Sequence, residues 1–225
     1  MLFNYKRYRV LIWTLVCLSA IILFLFYVLL TPDKQLPIYQ PNMVEAQLVD
    51  PSIQHIKRYH RVKNFEMRNQ NNQLVSLADY DNKIFVVDFF FTTCPTICPI
   101  MTANMAKLQN EFLDDEQIKF LSFSVTPEID SVQQLKRYSV EKGVVDRKWN
   151  LVTGDRKDIY ELARKSFLVV KSTDDPLQMV HTENFVLIDP DRRIRGFYDG
   201  TNIKEINQLE KDIKNLKKQY KKSHP

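Results

Sequence analysis

Glycine and cysteine are scarce in this chain of 225 residues. The four glycines do not cluster, so the sequence does not support a glycine-rich phosphate-binding loop. The three cysteines are too few for a disulfide-stapled scaffold, which a domain of this size does not need. Internal repeats and low-complexity segments are also absent from the sequence. The length allows one domain of ordinary size with short additional segments.

Basic residues exceed acidic ones, which gives a formal net charge of +5 and a pI near 9.0. No nucleic-acid-binding motif accompanies this charge, so we expect solvated ends, including a basic tail over 219–225, and no nucleic-acid partner. Most of the excess lies at the two ends of the chain, at Lys6, Arg7, Arg9, Lys211, Lys214, Lys217, Lys218, Lys221 and Lys222.

The segment Val10–Leu30 contains no charged residue. As a helix it would rise roughly 30 Å, enough to cross a bilayer. It ends without the small-x-small site of a cleavable signal peptide, so we predict one transmembrane helix over 10–30, with Cys17 as an apolar residue inside it. The basic cluster before the span places residues 1–9 in the cytoplasm and the rest of the chain outside. No amphipathic transit peptide precedes the span, which favours a bacterial inner membrane with the domain on the periplasmic side.

The remaining sequence alternates predicted strands and helices. A proline-bearing segment over 31–60 is expected to be an extended linker, and residues 61–218 are expected to form the domain. Their order predicts an α/β fold with a mixed central sheet and helices on both faces. The predicted elements are hairpins over 61–76 and 183–198, strands over 83–91, 118–125 and 148–152, and helices over 95–113, 131–140, 156–166 and 204–218.

Two cysteines follow an apolar strand within the segment FFFTTCPTICPIM. If a helix opens at Cys94, its i, i+4 spacing to Cys98 puts the two Cβ atoms about 5–6 Å apart on one face. Pro95 suits the first turn of such a helix, and the helix N-terminus favours a thiolate at Cys94. This arrangement of strand, cysteine and helix suggests a thioredoxin-like fold. Thiolates bind soft metals and also attack disulfides, so both chemistries remain open.

His181 is the candidate third ligand. It lies just before a predicted strand, in the approximate place where thioredoxin-like redox proteins commonly have a proline that packs against the active cysteines. Two thiolates and one imidazole suit Cu(I) and also admit Cu(II), while zinc normally takes a fourth ligand. The alternative is a strand-edge histidine that bonds a backbone group. The other histidines (His55, His60 and His224) are expected to be solvated, and Met101 and Met105 to lie in the core. The role of Met179 stays open, since it lies two residues from His181 and could line the rim of the site.

With these residues the chain resembles the Sco/SenC family, membrane-anchored copper proteins with a thioredoxin-like fold that assist cytochrome c oxidase assembly. The resemblance covers roughly residues 61–218. It implies that Cys94, Cys98 and His181 bind copper. The matching segments are FFFTTCPTICPIM, LSFSVTPEID, WNLVTG and VHTENFVLIDPDRRIRGFYDGT.

Two positions depart from the family pattern. Thr126 stands where the family often has aspartate, and Val180 stands where an acidic residue often precedes the histidine. Both changes remove carboxylates that would orient ligands and tune affinity. The remaining candidates for that role are Asp88, Glu128, Asp130, Asp174 and Asp175; for Asp130 we expect a helix cap or a solvated loop position instead.

The leading hypothesis is a copper chaperone that helps to metallate the dinuclear copper centre of cytochrome c oxidase subunit II. The alternative is a thiol–disulfide oxidoreductase that reduces the subunit II cysteines, with Cys94 attacking and Cys98 resolving the mixed disulfide. A thioredoxin-like reductant or another copper donor is a further expected partner. A peroxide-reducing enzyme is disfavoured by the second cysteine so close in the helix. A purely structural membrane domain would leave the cysteine pair unexplained.

Overall fold

The computed structural model describes residues 5–30, 35–169 and 182–223. The chain divides into two compact units at Lys34 and Gln35. The first contains helix α1, Tyr5–Leu30, which begins earlier than the predicted start at Val10. Its segment Tyr8–Tyr27 has a mean hydropathy of 2.6 and is long and apolar enough to be a candidate membrane span.

The second unit is built on one mixed sheet of seven strands in the order β2-β1-β5-β4-β3-β6-β7. The three central strands β5, β4 and β3 are parallel, and the outer hairpins pair with them in antiparallel fashion. The strands are β1 (Glu66–Asn69), β2 (Leu74–Ser76), β3 (Ile84–Phe90), β4 (Ile118–Ser124), β5 (Trp149–Thr153), β6 (Asn184–Ile188) and β7 (Ile194–Asp199). The helices are α2 (Ile97–Glu111), α3 (Val132–Glu141), α4 (Arg156–Glu161) and α5 (Ile203–Ser223), with a π-helical turn over Leu162–Ser166.

Alternating side chains of β3 supply the cores on both faces of the sheet. Phe85, Val87 and Phe89 pack with apolar residues of α4 and the π-helical turn. Val86 and Phe90 pack with α2, α3 and α5 on the opposite face. Because side chains alternate along a strand, a continuous apolar run is what a strand covered on both faces requires. The predicted α/β fold with helices on both faces is confirmed.

Residues 35–60 pack against the domain, which differs from the extended linker predicted over 31–60. Arg195 of β7 donates to the carbonyl oxygens of Pro37 (2.9 Å) and Leu36 (2.6 Å). The side chain of Val49 is completely buried in the core. These contacts are long-range in sequence, so the local proline pattern gives no sign of them. We call residues 35–60 the arm.

Two helix limits also differ from prediction. Helix α2 begins at Ile97 instead of at Cys94 or Pro95. Helix α5 continues to Ser223, through most of the predicted basic tail over 219–225. Tyr220 within that extension accepts a hydrogen bond from Arg193 (2.6 Å) and donates one to Asp191 (2.7 Å), which ties the last turns to the β6–β7 hairpin.

Candidate metal centre

A tight turn over 91–94 carries the first cysteine beyond the end of β3. The backbone N–H of Cys94 donates to the carbonyl of Phe91 at 3.3 Å and closes the turn. Proline disfavours helical backbone in the residue before it, so Pro95 keeps Cys94 outside the helix. This local restriction explains why α2 does not include Cys94. Cys98 lies in the first turn of α2, where Pro99 loses no helical hydrogen bond.

The two thiols form no disulfide and are buried, with 6% of Cys94 and 3% of Cys98 exposed. Burial opposes ionisation of Cys94, but backbone N–H groups of Cys98 and Thr96 donate to its sulfur and lower its pKa to about 7. Burial raises the pKa of the Cys98 thiol to about 12. The pair therefore combines one sulfur that ionises near neutrality with one that keeps its proton.

Asp88 lies in β3 on the face that carries α2, and only 2% of it is exposed. Burial raises the pKa of its carboxyl to about 7. Its side chain accepts a short hydrogen bond from Ser122, whose oxygen in turn accepts from the Trp149 indole at 2.8 Å. The negative charge of Asp88 contributes to the raised pKa of Cys98. An acidic residue inside an apolar strand is the sequence signal for this position, and Asp88 was among the predicted carboxylates.

Asp130 is fully buried, and the expectation of a helix cap or a solvated loop is wrong. The cap of α3 is Ser131, whose oxygen accepts from the Gln134 backbone N–H at 3.3 Å. The Asp130 carboxylate instead bonds Thr92, which precedes the cysteines. Sequence reasoning did not single out Thr92. Glu128 is exposed and lies 3.7 Å from Arg156.

His181 lies outside the described residues, as do Met179, Val180, Asp174 and Asp175. Within the described residues, no group of three or more His, Cys, Asp or Glu side chains could hold a metal ion. His60, expected to be solvated, is buried, with its Nε2 2.9 Å from the carbonyl oxygen of Ser166. His55 is exposed, and Met101 and Met105 are fully buried as predicted. The described residues thus bring two of the three predicted ligands together.

A mixed sheet in which a central strand leads through a cysteine turn into a helix defines the thioredoxin-like class of proteins. The SCO1/SenC family profile matches residues 53–218. A curated relative, the SCO1 protein homolog of Bacillus subtilis, is 34% identical over 158 residues, which cover 69% of this chain and 82% of that protein. The chain therefore belongs to the SCO1/SenC family.

Solved structures share this fold. BsSco, described as a member of the Sco family of cytochrome c oxidase assembly proteins with a disulfide switch, superposes with a TM-score of 0.61 at 32% identity. The match covers 70% of this chain and 93% of BsSco. Arabidopsis thaliana ScoI, whose structure contains copper, has a TM-score of 0.56 at 24% identity over 70% of this chain and 98% of its own. At that identity the similarity to ScoI shows the fold alone.

Proposed function

We propose that this protein binds one copper ion through Cys94, Cys98 and His181 and helps to metallate the dinuclear copper centre of cytochrome c oxidase subunit II. The main support is that two cysteines without a disulfide lie close together, Cys94 at the end of the 91–94 turn and Cys98 in the first turn of α2. Sulfur ligands select Cu(I), and one imidazole nitrogen also admits Cu(II). Family membership and the oxidase-assembly description of BsSco support a role in the assembly of cytochrome c oxidase, with copper as the cargo.

The two cysteines have different tasks in loading this cargo. The lowered pKa of Cys94 makes it the sulfur that is already ionised near neutral pH and meets the metal first. Cys98 keeps its proton until copper replaces it, so loading releases a proton and weakens as the pH falls. Copper then leaves by ligand exchange with the cysteines of the acceptor.

The apolar helix α1 serves as the anchor in this proposal. The basic residues Lys6, Arg7 and Arg9 at its start support an orientation with the N-terminus in the cytoplasm and the domain on the periplasmic side of a bacterial inner membrane, because basic residues before a span stay in the cytoplasm. Two neighbouring thiols outside the cytosol tend to oxidise. Metal binding, or continual reduction by a thioredoxin-like protein, keeps the two thiols from forming a disulfide.

The experiment is an anaerobic Cu(I) titration of the reduced domain, residues 31–225, with the ligands identified by X-ray absorption. One copper per chain with two sulfur ligands and one nitrogen ligand is expected. Cys94→Ser and Cys98→Ser should each abolish tight binding, and His181→Ala should remove the nitrogen. His55→Ala, which changes an exposed histidine, is the matched control and should bind like the wild type. Unchanged ligands in His181→Ala would remove that residue from the site.

The opposed pKa shifts of the two thiols favour a second candidate, a thiol–disulfide oxidoreductase. The Cys94 thiolate would attack a disulfide of subunit II, break its S–S bond and form a mixed disulfide. Cys98 would then lose its proton and attack the Cys94 sulfur, which releases the second target thiolate. The target gains two electrons, and a thioredoxin-like reductant restores the Cys94–Cys98 dithiol.

A peptide with the oxidised copper-ligand cysteines of subunit II tests this second candidate. Mass spectrometry should find a trapped mixed disulfide in Cys98→Ser and none in Cys94→Ser. Absence of peptide reduction by the wild type, together with stable copper binding, would leave the chaperone as the function.

A further inference from the structure

We infer that Asp130 is a positioning residue for the cysteine pair, whose buried carboxylate holds the 91–94 turn so that Cys94 faces Cys98. The inference rests on the proposed function, because it names a residue that the copper site requires beyond its ligands. It follows from contacts that join the segment after β4 to the turn after β3.

Four neutral donor groups surround the Asp130 carboxylate. From the cysteine turn, the Thr92 backbone N–H approaches its two oxygens at 3.2 and 3.4 Å, and the Thr92 hydroxyl lies at 2.5 Å. From its own side, the hydroxyl groups of Ser124 and Thr126 donate at 2.6 and 3.1 Å. A buried carboxylate needs such donors to offset the loss of hydration, and these hydrogen bonds are charge-assisted.

Thr92 is the second residue of the turn that ends at Cys94, so a bond to Thr92 fixes the turn at its centre. The Cys94 N–H closes the same turn by donating to the Phe91 carbonyl at 3.3 Å. Displacement of Thr92 would therefore change the position of Cys94 relative to Cys98, which belongs to α2. Asp130 thus acts on the cysteine pair through Thr92.

The support beneath Asp130 is itself fixed by backbone bonds. The Asp130 N–H donates to the Thr126 carbonyl at 2.9 Å, and the Val125 N–H donates to the Phe90 carbonyl at 2.9 Å. From α3, the Gln134 amide donates to the Thr92 hydroxyl at 3.1 Å. The turn is thus held from the end of β4 and from the start of α3, which are parts of the rigid sheet-and-helix scaffold.

The test compares Asp130→Asn and Thr92→Val with Thr92→Ser, which keeps the hydroxyl, and with Asp212→Asn as the matched control. Asp212 is also a buried carboxylate with neutral donors, Tyr198 at 2.9 Å and Gln208 at 3.0 Å, but it belongs to α5. Copper affinity should fall about 10- to 100-fold in Asp130→Asn and Thr92→Val, as for other residues that orient metal ligands.

The Cu(II)–thiolate absorption band should shift in the same two variants, and Thr92→Ser should restore both affinity and band. Asp212→Asn should lower the unfolding temperature and leave both unchanged. If Asp130→Asn and Thr92→Val lose stability as Asp212→Asn does but keep the wild-type affinity and band, Asp130 only stabilises the fold and the inference is wrong.

A readout without copper separates this inference from the proposed function. In equilibrium with glutathione disulfide, Cys94 and Cys98 give up two electrons and two protons and form a disulfide, while two glutathione molecules are released. The equilibrium constant should shift about tenfold in Asp130→Asn and Thr92→Val, because disulfide geometry depends closely on the positions of the two sulfurs. If the wild type binds no copper, the proposed function fails while this shift still supports Asp130. If copper binds and neither readout moves, only the positioning role fails.

Discussion

At the scale of single residues, the two thiols differ because their surroundings differ. Donation by two backbone N–H groups outweighs the burial of Cys94, whereas Cys98 is buried near the Asp88 carboxylate. A helix N-terminus stabilises an anion that lies just before its first turn, and Cys94 occupies that position. Cys98 has already entered the helix and faces the core. Because Pro95 keeps Cys94 outside the helix, Cys94 is the thiol with the lowered pKa and Cys98 is the thiol with the raised pKa.

We predict that alkylation of the reduced domain distinguishes these thiols. The rate at Cys94 should rise through a midpoint near pH 7, because only the thiolate reacts and its pKa is lowered to about 7. Cys98 should stay unreactive up to strongly alkaline pH, because burial raises its pKa to about 12. Iodoacetamide labelling followed by mass spectrometry measures both. Cys98→Ser should keep the Cys94 profile, and a common midpoint for the two thiols would contradict the assignment.

Asp88 gives a second pH-dependent prediction. Its pKa is about 7 in the folded protein and 3.8 as the ordinary value, so the folded state binds the proton more tightly than the unfolded state. Stability from this group is therefore fully present below the ordinary pKa, falls as the pH rises, and is lost above about 7. Asp88→Asn removes this dependence and should be more stable than the wild type at pH 8, by up to a few kcal/mol (~1.4 per pKa unit).

Urea unfolding of Asp88→Asn at pH 4, 6 and 8 measures the effect. The advantage over the wild type should shrink toward pH 4, where both side chains are neutral. Glu128→Gln, at an exposed carboxylate, should change stability little at any of these pH values. If the free energies of unfolding of Asp88→Asn and the wild type differ by the same amount at all three pH values, burial does not raise the pKa of Asp88.

At the scale of elements, the arm is part of the domain and not a spacer. Without residues 35–60, burial of Leu36 and Val49 is lost and Arg195 loses two carbonyl partners. Each buried side chain contributes roughly 1.5–3 kcal/mol, and leaving a buried donor unpaired costs about 1–3 kcal/mol. A domain that starts at residue 61 should unfold about 10 °C or more below one that starts at residue 35.

Thermal unfolding followed by circular dichroism compares the two domains. Because the shorter domain can fail to fold, Val49→Ala in the longer domain is the second variant and should lose about 1–3 kcal/mol. His55→Ala, an exposed change within the same arm, should leave the unfolding temperature unchanged. Equal unfolding temperatures for all of these proteins would mean that the arm only rests on the surface.

The sequence predicts those elements whose pattern is local. The apolar runs of β3 and β4 indicated central strands, and α4 begins at Arg156 as predicted, with the Asp155 side chain accepting from the backbone N–H groups of Lys157 and Asp158. Contacts distant in sequence were not predictable in this way. The packing of the arm on Arg195 and the hydrogen bond between Thr92 and Asp130 depend on which strands are neighbours in the sheet. The apolar pattern of a single strand does not indicate its neighbours.

At the scale of the whole molecule, the site lies where two parallel strands end together. Phe90 of β3 is paired with Ser124 of β4, so the segments after both strands emerge at the same edge of the sheet. One segment carries the cysteine turn and the other carries Asp130. Crevices at the carboxyl ends of parallel strands are the usual place for ligands in α/β folds. The scaffold thus supplies both the cysteine pair and the carboxylate that holds its turn from neighbouring chain segments.

The last prediction concerns how the whole chain is oriented in a membrane. Cysteine reporters in a Cys17→Ser, Cys94→Ser, Cys98→Ser background test it: Tyr59→Cys, at a position that is 88% exposed, and Asn4→Cys in the basic N-terminal segment. A membrane-impermeant maleimide should label Tyr59→Cys in intact spheroplasts and Asn4→Cys only after lysis, because basic residues before a span stay in the cytoplasm.

The cysteine-free background is the control for nonspecific labelling, and lysis shows that each reporter reacts once it is reachable. The reverse pattern would put Cys94 and Cys98 in the reducing cytosol, where two neighbouring thiols stay reduced without help. The thiols would then need no periplasmic reductant, and the proposal that the protein delivers copper to an acceptor outside the cytoplasm would be wrong. Labelling of Tyr59→Cys alone in spheroplasts would place the cysteine pair where oxidation and copper binding compete for the same two sulfurs.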